Sequence, residues 1–373
     1  MDKFCLMPFL ATRVGRNKRY FVCCNFDFST TPEYYVHTHT SDQWINSEFM
    51  QSLRNQFVNG EEPVGCKKCW DEENNGVQSL RKSKEQELKF FKKKLNFSTT
   101  KFVDIDLTMS AICNLKCMMC HEDSSSTLLK ENIELKLTKK RKPLMVLNDN
   151  IHNIFNLITE DTKTINLTGG EPFYTKEIEL LIDSIPLEIK KNITFLITTN
   201  GTIINRQVLQ KLKDFKLVKF VVSLDASEKL YNYMRYPADW DEVRKNAIFL
   251  KDNENFNVSI NTVIQNLNVG NLYDICKWCV DNNFYHFLSV LKNPEVFDYK
   301  NLMDNDRSDA IENLKKCLTI KNLKKENITT IKGLIKNLEL SKSNLNSWKE
   351  FLKEVEPRDN YRRTSWKSFL LGK

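Results

Sequence analysis

The chain has 373 residues, 56 Lys and Arg against 48 Asp and Glu for a net charge of +8, and 41% hydrophobic content, a globular composition that predicts a catalytic domain of roughly 200 residues with appendages. Only ten glycines argue against disordered linkers, and the longest apolar runs, at 195–199 and 218–224, are strand-sized, excluding a helix of the roughly 20 residues needed to cross a bilayer. Arg13, Arg16, Lys18 and Arg19 break up any secretion signal near the N-terminus, and eleven unevenly placed cysteines read as metal ligands in a reducing compartment rather than a disulfide framework, so a cytoplasmic protein is expected.

Residues 1–98 combine short segments, Pro8, Pro32 and Pro63, aromatic patches and five cysteines, and end in a charged helix near 80–94. This pattern predicts a separate metal-dependent module. From Phe102 onward, β-branched apolar runs alternate with helical periodicity. Strands are predicted at 102–108, 163–168, 193–198, 218–224, 257–263 and 285–291, and helices at 123–136, 148–159, 175–185, 205–213, 240–251 and 270–282. Six βα repeats over 99–298 imply an α/β fold with a parallel sheet, either doubly wound or curled into a full or partial barrel. Residues 299–373 have helical spacing of Leu, Ile and Trp, closing with Trp366 and Phe369 that are expected to dock onto the body. From Lys300 to Lys373 there are 17 Lys and Arg against 10 Asp and Glu, +7 of the total. This is read as a solvated helix face, which argues against a nucleic-acid partner.

Cys113, Cys117 and Cys120 lie between the first predicted strand and Ser124-Ser125-Ser126, a helix N-cap run. Three thiolates so spaced can hold three corners of a cubane and leave one iron open, whereas structural zinc takes four protein ligands, with His121 as the candidate fourth. The Cys-x3-Cys-x2-Cys loop after the first strand resembles the signature of radical S-adenosylmethionine enzymes, whose fold is a partial (β/α)6 TIM-like barrel. The resemblance implies a [4Fe–4S] cluster on Cys113, Cys117 and Cys120 that chelates S-adenosylmethionine and cleaves it reductively to a 5′-deoxyadenosyl radical. It also implies a reducing partner such as flavodoxin or ferredoxin. Met119 stands where relatives often carry an aromatic residue against adenine, and offers only softer sulfur and dispersion contact.

Active sites of βα barrels form at the C-terminal ends of the strands. After the second strand, Gly169-Gly170-Glu171-Pro172 resembles the family's methionine-binding motif, with Glu171 as acceptor for an ammonium, although the same residues suit a plain strand-to-helix turn. Thr199 and Asn200 close the third strand, Ser223 and Asp225 the fourth, and Asn261 lies near the end of the fifth. All are candidate polar contacts. Ser223 and Asp225 fall in a segment similar to the family's ribose- and carboxylate-contacting stretch. Arg235, with Arg244 as fallback, offers a guanidinium fork for a carboxylate.

In the N-terminal module, Cys66 and Cys69 at a two-residue spacing clamp one metal edge, with Cys5 and either Cys23 or Cys24 closing the site; Cys23 is preferred. The order resembles a twitch module, the half-length SPASM domain, and implies a second, auxiliary iron–sulfur cluster. A zinc ribbon is the structural alternative. Cys276, Cys279 and Cys317 are expected in the core. The leading expectation is therefore an oxidoreductive radical enzyme acting on a peptide, sugar or other small molecule. Its alternative is a non-catalytic zinc adaptor with a basic arm for an acidic partner such as RNA. A radical methyl- or methylthiotransferase acting on RNA is a third reading.

Overall fold

The structure is a computed structural model, which describes residues 3–74, 78–92, 102–139 and 152–370. Eight strands form a mostly parallel sheet: β1 (Ala11–Val14), β2 (Tyr20–Phe21), β3 (Asp104–Thr108), β4 (Thr164–Thr168), β5 (Thr194–Thr199), β6 (Leu217–Ser223), β7 (Phe256–Ile264) and β8 (Tyr285–Val290). Their order is β2-β1-β3-β4-β5-β6-β7-β8, with an antiparallel pairing between β1 and β2 and parallel pairing at β1–β3, β3–β4, β4–β5 and β7–β8. The sheet is open, in agreement with the partial-barrel class. All six predicted strands are present within a residue or two. The first parts of the predicted helix 148–159 and the last residues of the helix 80–94 lie outside the described residues.

The chain divides into two compact, interleaved units. The first comprises Met1–Ser110, Leu144–Ile197 and Arg206–Val218. Its β1 pairs with β3 in register, Ala11 against Asp104 and Val14 against Leu107, a strand that the sequence reading did not foresee. Charge hides it: Arg13 interrupts the apolar run, and is accommodated because its Nη1 meets Asp106 on β3 at 3.0 Å. Trp44 and Arg54 brace this region. The Trp44 indole donates to Thr12 Oγ1 at 3.0 Å. Arg54, buried, donates to the carbonyls of Pro8 and Ile45 at 2.9 and 2.8 Å, and burial lowers its pKa to about 10.

The second unit comprises Ala111–Pro143, Thr198–Asn205 and Lys219–Lys373. Helix Ser126–Glu134 begins where the serine run predicts, with Ser125 Oγ accepting from the Leu128 amide at 3.2 Å. Helix Trp240–Lys251 buries Trp240, Val243, Ala247 and Leu250, one stripe at helical spacing, and is capped by Asp239. Helix Leu272–Asp281 buries Cys276 and Cys279, and Cys317 is fully buried on helix Asp304–Cys317, as expected of core thiols. Helices Lys325–Leu340 and Leu345–Arg362 complete the C-terminal region. Trp366 packs edge-on against Trp348 at 5.3 Å and Phe369 lies 5.0 Å from Tyr233, the expected docking of the tail.

Candidate functional site

The three-cysteine loop belongs to the second unit and is held by its backbone. Cys113 and Cys117 are buried and Cys120 is half-buried. The Ser126 amide donates to the Ala111 carbonyl at 2.8 Å, and Thr127 Oγ1 donates to the carbonyls of Cys113 and Leu115 at 3.1 and 2.8 Å. On the other side, the amides of Lys116 and Met118, which flank Cys117, donate to the carbonyls of Tyr236 and Met234 at 2.7 and 2.8 Å. Two donors already face the Cys113 sulfur: the Leu115 amide at 3.4 Å and Asn200 Nδ2 at 3.9 Å. Such donors suit a thiolate better than a thiol. Burial pushes the Cys117 thiol up; the Arg235 charge pulls it down, Asp225 opposes that, and Arg362 adds to it. Met119 is buried beside these thiols in sequence. His121 instead caps the short turn Glu122–Ser124, accepting from the Asp123 amide at 3.2 Å.

Asn200 is central to the same unit. Its Nδ2 also donates to Asn114 Oδ1 at 2.9 Å, while its Oδ1 accepts from the Thr202 amide at 2.9 Å. Thr199 Oγ1 accepts from the Gly201 amide at 3.0 Å, so both polar groups at the end of β5 shape the turn. At the end of β6, Ser223 is half-buried. Asp225, fully buried, accepts from the Val263 amide at 2.8 Å and from Arg235 Nε at 2.8 Å. Burial alone would lower the Arg235 pKa, but Asp225 reverses that and raises it. Among the described residues the two terminal nitrogens of Arg235 take no hydrogen-bond partner, so one edge of its fork remains for a carboxylate. Arg244 makes a surface pair with Asp241 at 2.7 Å. Asn261 on β7 accepts from Ser289 Oγ at 2.7 Å, and its carbonyl accepts from the Leu224 amide at 3.0 Å.

The glycine motif belongs to the first unit. Gly169 has φ +154, and a Cβ there would lie 3.0 Å from the Ser110 carbonyl oxygen, so only glycine fits without strain. The Gly170 amide donates to that same carbonyl at 2.8 Å. Glu171 is buried and its Oε1 accepts from the Phe173 amide at 3.1 Å, with Pro172 opening a single helical turn, Pro172–Tyr174. Two side chains not anticipated from the sequence support this turn. Lys18 donates to the Met109 carbonyl, and the buried Glu177 carboxylate interacts with it and with Ser110. Burial raises the Glu177 pKa and lowers that of Lys18.

Also in the first unit, Cys5, Cys23, Cys66 and Cys69 line one cavity with Met7, Phe26 and Arg81. Cys24 is exposed instead, which separates the two neighbours that the sequence left as alternatives. Burial first, and then the neighbouring thiols, push Cys5 and Cys66 up, while the Arg81 charge opposes this. Arg81 is fixed by Glu73 and donates to the Phe4 carbonyl at 2.7 Å. Asn25 Nδ2 lies 3.8 Å from the Cys69 sulfur. Four soft donors that repel one another as thiolates fit a site for a soft cation. Among the described residues, no group of three or more His, Cys, Asp or Glu side chains already stands at the distances of a bound metal ion. No helix is long and apolar enough to cross a membrane among the described residues.

Residues 107–279 match the family model described as the Radical SAM superfamily. That segment, a little under half of the chain, is thus similar to the domain of a superfamily whose members carry a [4Fe–4S] cluster and use S-adenosylmethionine. The probable GTP 3′,8-cyclase of Methanocaldococcus jannaschii is 26% identical over 170 residues, 45% of this chain and 52% of that protein. The radical SAM cyclopropyl synthase TigE of Paramaledivibacter caminithermalis is 27% identical over 203 residues, 51% of this chain and 41% of that one. The chain thus spans about half the length of these curated relatives. Among solved structures, Streptococcus suis SuiB bound to S-adenosylmethionine gives a TM-score of 0.42 at 16% identity, covering 75% of this chain and 60% of that one, a likeness too slight to carry weight.

Proposed function

We propose that this protein is a radical S-adenosylmethionine enzyme in which Cys113, Cys117 and Cys120 hold a [4Fe–4S] cluster with one open iron. The observation that carries the reading is the thiol loop itself: three cysteines fixed by backbone hydrogen bonds on both flanks, with amide donors at the Cys113 sulfur and a guanidinium acting on Cys117. When bound, the cluster would supply one electron to the sulfonium of S-adenosylmethionine, whose carbon–sulfur bond would break to release methionine and a 5′-deoxyadenosyl radical able to abstract hydrogen from a peptide, sugar or other small substrate. The chain's own residues bind and orient. Gly169 and Gly170 let backbone approach the methionine end of the ligand, and Glu171 accepts from its ammonium. The free edge of Arg235, held in place by Asp225, takes a carboxylate in bidentate fashion. Ser223, Thr199, Asn200 and Asn261 complete the polar contacts, and Met119 packs against adenine.

In this reading Cys5, Cys23, Cys66 and Cys69 hold an auxiliary iron–sulfur cluster within a twitch-like module over 1–98, and a flavodoxin or ferredoxin supplies electrons. That auxiliary cluster would take up the electron released when the substrate radical is oxidised, or would ligate the substrate. Anaerobic reconstitution followed by metal analysis tests the proposal: about seven or eight irons per chain are expected, with 5′-deoxyadenosine formed under dithionite. Stoichiometric zinc without absorption near 400 nm would instead favour a metal-binding adaptor.

A further inference from the structure

The last helix, Leu345–Arg362, ends on a side chain that reaches the cluster loop more than two hundred residues away. Arg362 is 1% exposed and its partner Glu131 is fully buried. Its Nε lies 3.1 Å from both Glu131 carboxylate oxygens. The terminal nitrogens reach the loop as well: Nη2 donates both to Glu131 Oε1 at 2.5 Å and to the Lys116 carbonyl at 2.8 Å, and Nη1 donates to the Met118 sulfur at 3.0 Å. Lys116 and Met118 are the two residues flanking Cys117, and their amides are already tied to the Tyr236 and Met234 carbonyls. Cys117 is therefore gripped from both sides, by backbone on one and by a single guanidinium on the other. Neighbouring contacts reinforce the grip. Arg358 Nη2 donates to Asn132 Oδ1 at 3.0 Å, and the Tyr361 hydroxyl donates to Glu134 at 2.5 Å.

A buried ion pair contributes little net stability compared with apolar packing of the same volume. Such a pair is worth its desolvation when its hydrogen bonds fix something else. Here four of the five guanidinium N–H groups are in play, two of them on the backbone and side chain of the loop itself. Glu131 balances the charge of Arg362, but the guanidinium is the member of the pair that faces the loop and acts on the Cys117 thiol, and a nearby donor and positive charge favour the reduced, more negative form of an iron–sulfur site.

Resting on the reading of Cys113, Cys117 and Cys120 as cluster ligands, we propose that Arg362 is a positioning residue of the radical centre. Through Lys116 and Met118 it holds the Cys117 segment in ligating geometry and raises the ease with which the cluster is reduced. The C-terminal helix is thereby part of the catalytic machinery rather than a solvated appendage.

The test uses the full chain, reconstituted anaerobically, as wild type, Arg362→Lys, the double variant Glu131→Gln/Arg362→Met, and Cys117→Ala. The double variant removes the buried pair together; Lys116, whose Nζ also meets Glu131 at 3.2 Å, keeps a quarter of its side chain exposed and so can turn to solvent. Two quantities are read: the rate at which iron is lost to a chelator, and the potential at which the S-adenosylmethionine-responsive EPR signal appears. For the double variant, iron loss from the Cys117-dependent site is expected to be about tenfold faster, in line with the loss of an outer-shell partner, and the signal appears only at lower potential. Arg362→Lys keeps the charge and loses the fork, so it recovers the potential but not the retention. Wild-type iron loss and potential in the double variant overturn the inference. Should the double variant fail to fold, Arg362→Lys decides: iron loss as slow as wild type refutes the fork. If wild type and Cys117→Ala carry the same iron and the same signal, the ligand reading itself fails, a result distinct from either outcome at Arg362.

Discussion

The buried pair of Asp225 and Arg235 is the sharpest energetic prediction. Asp225 has no exposed side-chain surface and Arg235 has 10%, with 2.8 Å between them. Replacing Asp225 by Asn keeps an oxygen for the Val263 amide but leaves the guanidinium buried and unpaired, a loss of roughly 3–5 kcal/mol. Asp225→Ala also strands the Val263 amide, adding about 1–3 kcal/mol for an unmade hydrogen bond. The double variant Asp225→Asn/Arg235→Met removes the lone charge and should recover at least about 2 kcal/mol relative to Asp225→Asn. Guanidinium denaturation of the reduced apoprotein, followed by far-UV circular dichroism, measures all four corners of the cycle once Arg235→Met alone is included. Additive losses, or an Asp225→Asn variant within about 1 kcal/mol of wild type, would show that the two side chains are not coupled and that Arg235 is not held for a ligand by Asp225.

Three further outcomes are expected. His286 is buried with Nε2 2.8 Å from Thr262 Oγ1, and burial lowers its pKa from 6.5 to about 4. Above pH 7 neither state carries the proton; below 6.5 the unfolded chain takes it up while the folded chain does not until about 4, so up to about 3 kcal/mol of stability is lost across that window. His286→Gln should flatten the stability profile there, and an unchanged slope would reject the assignment. Gly169→Ala forces a Cβ to 3.0 Å from the Ser110 oxygen at φ +154; calorimetry should report S-adenosylmethionine binding weakened by at least about tenfold, with about 1–3 kcal/mol of strain in denaturation. Cys23→Ala should remove close to half of the reconstituted iron whereas Cys24→Ala should remove none, because only Cys23 lines the cavity with Cys5, Cys66 and Cys69; equal losses would contradict it.

The six main strands were legible because each is a β-branched run bounded by turn residues, and β7 and β8 pair as such runs should, Asn261 against Phe287. Strand β1 was not. Its Arg13 looks like a loop residue until Asp106 on the adjoining strand supplies the partner. The thiol loop and the glycine turn were legible from spacing, since chemistry restricts both to a few residue types at fixed intervals. What holds them was not. Lys18 reaches Met109 across 91 residues, and Arg362 reaches Glu131 across 231. No local pattern marks either, because an exposed and a buried basic residue have the same sequence neighbourhood. The choice between Cys23 and Cys24 likewise needed the fold, which buries the first and exposes the second.

The central claim is an iron left open by three thiolates, and EPR of the dithionite-reduced, reconstituted protein tests it most directly. Adding S-adenosylmethionine should shift the g-values of one cluster signal in wild type, and that responsive signal should be absent from Cys117→Ala while the auxiliary signal remains. A spectrum indifferent to S-adenosylmethionine in the wild type, or a responsive signal that survives in Cys117→Ala, would contradict the account.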